Sequence, residues 1–127
     1  MYKEVVICIV VIVVIVSLDV FTQKYTRNTT SEITQIFSDL KGDMLNEDKN
    51  KIDEKVKRLD EKWGQKHDKF AYYIEHDELE KVDTAIVSLK SYVETDDYSS
   101  AIAELDEGKF ILEHIQKKYA FNLENIF

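Results

Sequence analysis

Residues that break helices are nearly absent from this chain, and so is cysteine. The chain contains no proline, three glycines and one cysteine. Because proline and glycine mark turns and loops, their scarcity favours long helices. A single cysteine excludes an intrachain disulfide, which separates the chain from small secreted domains built on disulfide frameworks.

The chain also lacks the positive charge and the motifs of several functional classes. It carries 17 basic and 25 acidic side chains, a net charge of −8, so we expect no nucleic-acid partner. Its single cysteine, Cys8, lies in an apolar run, and there is no glycine-flanked serine and no phosphate-binding loop. We therefore expect a protein that is not an enzyme and that holds no cofactor.

The most distinctive stretch is an apolar run near the N-terminus. This run, residues 5–18, is about 21 Å long as a helix, which is shorter than a hydrocarbon core of about 30 Å. With Tyr2, Val20 and Phe21 it reaches roughly 20 residues, which is enough to span a bilayer if Asp19 lies at the headgroups. The residues expected to form this membrane anchor are Val5, Val6, Ile7, Cys8, Ile9, Val10, Val11, Ile12, Val13, Val14, Ile15, Val16 and Leu18.

A cleavable signal peptide is the competing interpretation of this run. Its length fits, but Lys3 is offset by Glu4, and residues 17–22 offer no pair of small residues for cleavage. An uncleaved anchor is therefore favoured. The very short N-terminal tail favours a single-pass topology in the cell membrane, with the bulk of the chain on the extracytoplasmic side.

Hydrophobic periodicity predicts an all-α fold, in which an N-terminal transmembrane helix runs into an up-down antiparallel bundle of three to four helices. We expect a membrane anchor over residues 1–21 and a stalk and first bundle helix over residues 22–45. Residues 46–127 are expected to complete the bundle, with a docked C-terminal tail. The threonine-rich residues 22–31 are expected to form the stalk or hinge.

Three further helices are predicted, over residues 49–75, 78–95 and 98–118. Asp77 has the position of an N-cap for the middle one. Residues 49–69 have a basic surplus and residues 75–107 an acidic one, which would let the second helix pair with the third and fourth; the alternative is that these are solvated faces that differ in charge without pairing. Apolar side chains at spacings of three and four predict this core: Leu59, Trp63, Phe70, Ile74, Leu79, Val82, Ile86, Leu89, Val93, Ile102, Leu105, Leu112 and Ile115.

Histidines supply the candidate metal site. His76 and His114 are expected at the same end of an antiparallel bundle, with Glu75 and Glu78 nearby, and two imidazoles with a carboxylate can hold Zn²⁺. No ligand pair is spaced to share one helix face, so capping or hydrogen bonding at the helix ends remains the alternative. His67 lies on a charged stretch and is expected to face solvent. Tyr72 and Tyr73 could form an aromatic recognition surface or belong to the core.

Several segments resemble a bacterial family of small membrane-anchored proteins, the domain-of-unknown-function family DUF4363, found mainly in spore-forming Gram-positives. The resemblance rests on residues 59–66 around the tryptophan, on residues 89–93 and 112–115, and most specifically on Ile74-Glu-His-Asp-Glu-Leu79 and the ending Leu123-Glu-Asn-Ile-Phe127. It implies a bacterial, extracytoplasmic helical domain and supplies no activity, ligand or site.

Two functions remain open after these observations. The first is a membrane-tethered interaction or structural module of the bacterial cell envelope, whose partner is another envelope protein or a second copy of the chain. The second is an extracytoplasmic sensor, or a domain that binds a metal or small ligand, using the end of the bundle that carries His76 and His114.

Overall fold

Helices account for every regular element in the described part of the chain. A computed structural model describes the backbone of residues 1–126 and the side chains of residues 1–119. Its helices are α1 (Tyr2–Leu45), α2 (Lys49–Phe70), α3 (His76–Glu94) and α4 (Tyr98–Ile126). The predicted all-α fold is confirmed, with a long apolar first helix followed by a helical bundle.

Short connections make consecutive helices antiparallel neighbours. In the bundle, α1 packs against α2 and α4, and α3 packs against the same two helices. The cyclic order α1, α2, α3, α4 is that of an up-down-up-down bundle. Packing is most extensive between α3 and α4 and least extensive between α2 and α3.

The first helix, α1, is unbroken and passes through two environments. It has 44 residues, which corresponds to a length of roughly 66 Å. Its N-terminal part lies outside the bundle, where Val5 and Ile12 expose 57% and 59% of their surface, whereas one face is buried from Thr26 onward. The helix therefore projects well beyond the bundle that it helps to build.

The core contains nearly all the apolar residues expected there. Leu59, Trp63, Phe70, Ile74, Leu79, Val82, Ile86, Leu89, Val93, Leu105, Leu112 and Ile115 are all buried. Ile102 is only half-buried, because its neighbour Ala101 is fully buried and begins the inward stripe that continues with Leu105. α1 contributes its own buried stripe, made up of Ile33, Ile36, Phe37, Leu40 and Met44.

Three helix ends differ from the sequence expectation, the first two of them at the α2–α3 turn. α2 ends at Phe70 rather than near residue 75, and residues 71–75 form the turn into α3. Asp77 is not the N-cap of α3, because the helix already begins at His76. Glu75 occupies the cap position without a side-chain hydrogen bond. Asp77 instead lies in the first turn, where its negative charge favours the helix dipole.

The fourth helix also continues past the expected end at residue 118, to Ile126. The tail that was expected to dock on the bundle is therefore helical in its backbone through that residue. The side-chain contacts expected of this tail lie outside the described residues.

The threonine-rich stretch of α1 does not form a free stalk. Thr26, Thr29 and Thr30 are buried, with exposures of 1%, 2% and 1%. Their spacing continues the inward stripe of α1, so the polar segment already belongs to the bundle. The transition from exposed helix to bundle helix occurs at about Tyr25 and Thr26.

Charged side chains of α2 pair with α1, which was not expected, and also with the acidic segment, where Lys49 meets Asp96. Lys62 forms an ion pair with Glu32, and Lys55 forms one with Asp43. The ion pair between Lys90 and Asp60 is the reverse of the expected one, because its lysine belongs to the acidic helix α3 and its aspartate to α2. The packing order of the helices, rather than their net charges, decides which charges meet.

Candidate membrane anchor and bundle base

The N-terminal part of α1 is apolar around its whole circumference. The predicted anchor residues are exposed on every face, apart from the half-exposed Val16. Cys8 is exposed among them. A helix that is hydrophobic all round needs an apolar surrounding. Within the described residues, α1 is the one helix long and apolar enough to cross a membrane.

The end of the bundle nearest this segment is assembled from all four helices. We call it the bundle base and define it as residues 18–26 of α1, residues 66–78 around the α2–α3 turn, and residues 114–119 of α4. The antiparallel order of the helices brings these segments together, because α2 and α4 end at the level where α3 begins. The Tyr119 hydroxyl accepts a hydrogen bond of 2.9 Å from the backbone N–H of Glu75 and so joins α4 to the start of α3.

Aromatic rings connect α1 to the α2–α3 turn at the bundle base. Tyr25 stacks on Phe21 with ring centres 6.5 Å apart and meets the edge of Phe70 at 5.8 Å. Phe70 then contacts Tyr73 at 6.1 Å, and Tyr73 contacts Tyr119 at 6.2 Å, both edge-on. Such edge-on contacts are a favourable arrangement of aromatic rings.

A buried hydrogen bond reinforces this aromatic connection. The Thr26 Oγ1 lies 2.6 Å from the carbonyl oxygen of Thr22 and 2.6 Å from the Tyr73 hydroxyl. Because Thr26 has one hydroxyl hydrogen and gives it to the carbonyl, Tyr73 is the donor to Thr26. Burial raises the pKa of Tyr73, which keeps its hydroxyl protonated.

The two neighbouring tyrosines of the turn therefore have different environments. Tyr73 packs into the base, whereas Tyr72 exposes 89% of its surface. Tyr72 helps line an apolar groove of about 390 Å³, together with Leu18, Phe21, Thr22, Tyr25, Lys69 and Tyr73. The ammonium groups of Lys66 and Lys69 lie 5.5 and 5.8 Å from the ring centre of Tyr25.

The carboxylates proposed as metal ligands are paired with a lysine. The Lys118 Nζ lies 3.1 Å from the Glu78 Oε1 and 3.4 Å from the Glu75 Oε1. The hydrogen bond to Glu78, which is itself buried, raises the pKa of Lys118. An ammonium group therefore occupies the position between the two carboxylates that a cation would need.

The structure brings only part of the proposed ligand set together. His114 lies 3.9 Å from Glu78, at the edge of the lysine-paired cluster. His76 is 78% exposed, and its nearest carboxylate is Glu80 on its own helix, at 3.6 Å. Among the described side chains, no group of three or more metal-binding residues has the geometry to hold an ion.

His67 is half-buried rather than solvent-facing. Its Nε2 lies 3.2 Å from the Asp83 Oδ2, and its ring meets that of Trp63 edge-on at 5.8 Å. The same aspartate accepts a hydrogen bond of 2.6 Å from the Trp63 indole. Asp83 thus joins α3 to two side chains of α2 on the least packed side of the bundle.

An acid-lined groove between α3 and α4 is the largest of the described pockets. It has a volume of about 590 Å³ and is lined by Asp77, Glu80, Lys81, Thr84, Ala85, Glu104 and Glu107. Burial raises the pKa of Glu104, and the nearby charge of Glu107 adds to that effect. Four carboxylates dominate the lining, and Lys81 and Thr84 are its other polar side chains.

Comparison with known protein families finds a match over most of the chain. The model of the family described as "Domain of unknown function (DUF4363)" matches residues 20–126. The chain belongs to this family. Searches of curated proteins and of solved structures give no match. The DUF4363 match begins next to the apolar segment, so it covers the bundle and the junction but not residues 1–19.

Sequence reasoning missed most contacts of the DUF4363 bundle base. Thr26 could have been found, because it continues the spacing of three and four that runs through Ile33 and Phe37. His67 could also have been placed, since it lies four residues after Trp63 on the same helix face. The pairing of Lys118 with Glu78 had no signal in the sequence, because it depends on how α3 and α4 are rotated against each other.

Proposed function

We propose that this DUF4363 protein is a single-pass, membrane-tethered module of the bacterial cell envelope that acts through interaction or structure rather than catalysis. The observation that carries the proposal is the unbroken α1. Its first part exposes apolar side chains on all faces, and its second part is buried in a bundle. A tether of this kind confines the bundle to one membrane surface.

A rigid connection between anchor and bundle supports a positional role. α1 has no proline and no break between Tyr2 and Leu45, and the contact of Thr26 with Tyr73 ties it to the α2–α3 turn. The bundle is therefore held at a fixed distance from the membrane. We place the bundle on the extracytoplasmic side of that membrane.

The bonding at the bundle base supports a non-enzymatic role. Lys118 pairs with both Glu75 and Glu78 at the base, and outside it Asp83 accepts the Trp63 indole N–H and lies 3.2 Å from the His67 Nε2. General acid–base catalysis needs a group poised toward a substrate, whereas these groups are directed at each other. The same contacts argue against the alternative of a metal sensor built on His76 and His114.

The proposal predicts a partner, either another envelope protein or a second copy of the chain. The test is chemical crosslinking in intact cells, followed by purification of the full chain in mild detergent. Recovery of a discrete crosslinked complex is expected. Recovery of monomer alone, with no crosslinked species, would contradict an interaction role.

A matched pair of variants separates loss of the membrane anchor from the effect of adding a charge elsewhere in the chain. Val10→Asp with Val13→Asp places two charges at the middle of the proposed span, where each costs about 2.5–3.5 kcal/mol on insertion. Val87→Asp changes an exposed valine of α3 in the bundle. The double variant is expected to lose both the membrane fraction and the complex, whereas Val87→Asp keeps the membrane fraction.

Metal content tests the alternative directly. The full chain and a His76→Ala variant, each purified without chelator, are analysed for bound metal. Because Lys118 occupies the position between Glu75 and Glu78, we expect no stoichiometric metal in either protein. Stoichiometric metal that disappears in the variant would favour the sensor over the structural module.

A further inference from the structure

The apolar groove of the bundle base lies where the proposed span ends. From Tyr2 to Phe21 the helix measures roughly 30 Å, the thickness of a hydrocarbon core. If Tyr2 lies at the inner interface, Leu18 to Thr22 lie at the outer one. Tyr72 lines the same groove as Leu18 and Thr22, so the α2–α3 turn reaches the same depth.

The side chains around this groove are of the kinds that favour a membrane interface. Tyr72 and Phe21 expose 89% and 67% of their surface beside the groove. Aromatic rings are enriched where lipid headgroups meet the hydrocarbon, and lysines extend their ammonium groups from that depth toward the phosphates. Lys66 and Lys69 lie at the rim, over the ring of Tyr25.

Continuity with the anchor identifies what covers the groove. Leu18 and Phe21 belong both to the end of the apolar segment and to the groove lining. The lipids that surround the anchor at this level are therefore adjacent to the exposed ring of Tyr72. A separate protein partner would have to displace these lipids to reach the groove.

We propose that the α2–α3 turn docks into the outer interface of the bilayer. Tyr72 and Phe21 lie among the upper acyl chains and glycerol groups, and Lys66 and Lys69 contact lipid phosphates. The bundle then has two attachments to the membrane, the anchor and this turn, which fixes its orientation. The inference rests on the proposed membrane tether.

The test measures the depth of an indole placed at position 72. The full chain carrying Trp63→Phe and Tyr72→Trp is reconstituted into phosphatidylcholine vesicles, with and without brominated acyl chains. The matched control carries Trp63→Phe and Leu45→Trp. Leu45 is 68% exposed at the opposite end of the bundle, so its position should remain in water.

We expect the indole at position 72 to emit at shorter wavelength and to lose most of its emission in brominated vesicles. The indole at position 45 should instead be quenched by iodide and unaffected by bromine. Equal iodide quenching at both positions, without bromine quenching at 72, would overturn the inference. So would an indole at 72 that is shielded from both quenchers, because a second copy or another protein segment would then cover it.

Two controls keep these outcomes distinct. Flotation of the same vesicles shows whether the chain is attached at all: failure to float contradicts the membrane tether, whereas flotation without bromine quenching contradicts only the docked turn. Because Trp63 bonds to Asp83, its replacement could weaken the bundle. A nitroxide attached to Tyr72→Cys in a Cys8→Ala chain therefore repeats the depth measurement with Trp63 in place, by collision with oxygen and with a water-soluble nickel complex.

Discussion

The hydrogen bond between Tyr73 and Thr26 can be removed by deleting a single oxygen atom. Tyr73→Phe keeps the edge-on ring contacts with Phe70 and Tyr119 and removes only the hydroxyl that lies 2.6 Å from the Thr26 Oγ1. Tyr72→Phe is the matched control. It deletes the same atom from the preceding residue, which is 89% exposed.

The expected cost follows from what remains after the deletion. Thr26 still donates its hydrogen to the carbonyl oxygen of Thr22, so no buried donor is left without an acceptor. The loss is then that of one intramolecular hydrogen bond, about 1 kcal/mol in the free energy of unfolding. That corresponds to a factor of about 5 in the ratio of folded to unfolded chains.

Denaturation of the full chain in mild detergent measures this difference. Trp63 is the only tryptophan, and its burial makes its emission a direct report on the bundle. We expect Tyr73→Phe to lower the unfolding free energy by about 1 kcal/mol, and Tyr72→Phe to change it by less than about 0.5 kcal/mol. Equal stabilities of the two variants would refute the argument that this bond ties α1 to the turn.

Three further predictions use the same denaturation assay. Gly64→Ala should raise the unfolding free energy by about 1 kcal/mol, because a Cβ there meets open space and alanine favours helix. Gly108→Ala should give no gain, or a loss of about 1 kcal/mol, because its Cβ would lie 3.1 Å from the ring of Phe37; a gain equal to that of Gly64→Ala would contradict this packing. The hydrogen bond from Lys62 lowers the pKa of Glu32, so the pair stabilises the fold above the ordinary carboxyl pKa and loses that effect as pH falls through the lowered value. The difference in unfolding free energy between the native chain and Lys62→Met should therefore shrink in acid. The change should be modest because Glu32 is partly exposed. A difference independent of pH would contradict the pairing.

The number and order of the helices could be predicted because local signals agree with the fold. Asp48 directly precedes the predicted second helix, and its carboxylate accepts the backbone N–H of Lys51 at 3.3 Å as the N-cap. The apolar stripe of α3 has uninterrupted spacings of three and four and is buried throughout. Where such signals were weaker, as around Ile102, the inward face was misjudged by one residue.

The bundle base could not be derived in the same way. Thr26 and Thr29 were assigned to a stalk or hinge because their segment is polar, yet they are buried against the rest of the bundle. The distinction between Tyr72 and Tyr73 depends on where α2 ends, and the expected end at residue 75 gave no basis for it. Pairings such as Lys118 with Glu78 depend on helix rotation, which periodicity leaves undetermined.

The glycine in α4 accommodates a side chain from another helix. Gly108 lies between Leu105 and Leu112 of the apolar stripe. In the structure it makes room for the ring of Phe37 from α1 and lies near the Cβ of Ala85 from α3. A side chain, rather than a second backbone, fills the space that the missing Cβ leaves.

The central proposal is that α1 crosses the membrane and holds the bundle outside the cell. Cys8, the only cysteine, lies in the proposed span, and Ser99 is exposed at the opposite end of the bundle. The direct measurement is labelling of intact cells with a membrane-impermeant maleimide, comparing the native chain with a Cys8→Ala, Ser99→Cys chain. The account predicts that the thiol at position 99 reacts in intact cells, while Cys8 remains unlabelled until detergent is added. Labelling at position 99 only after the membrane is opened, or labelling of Cys8 in a soluble fraction, would contradict it.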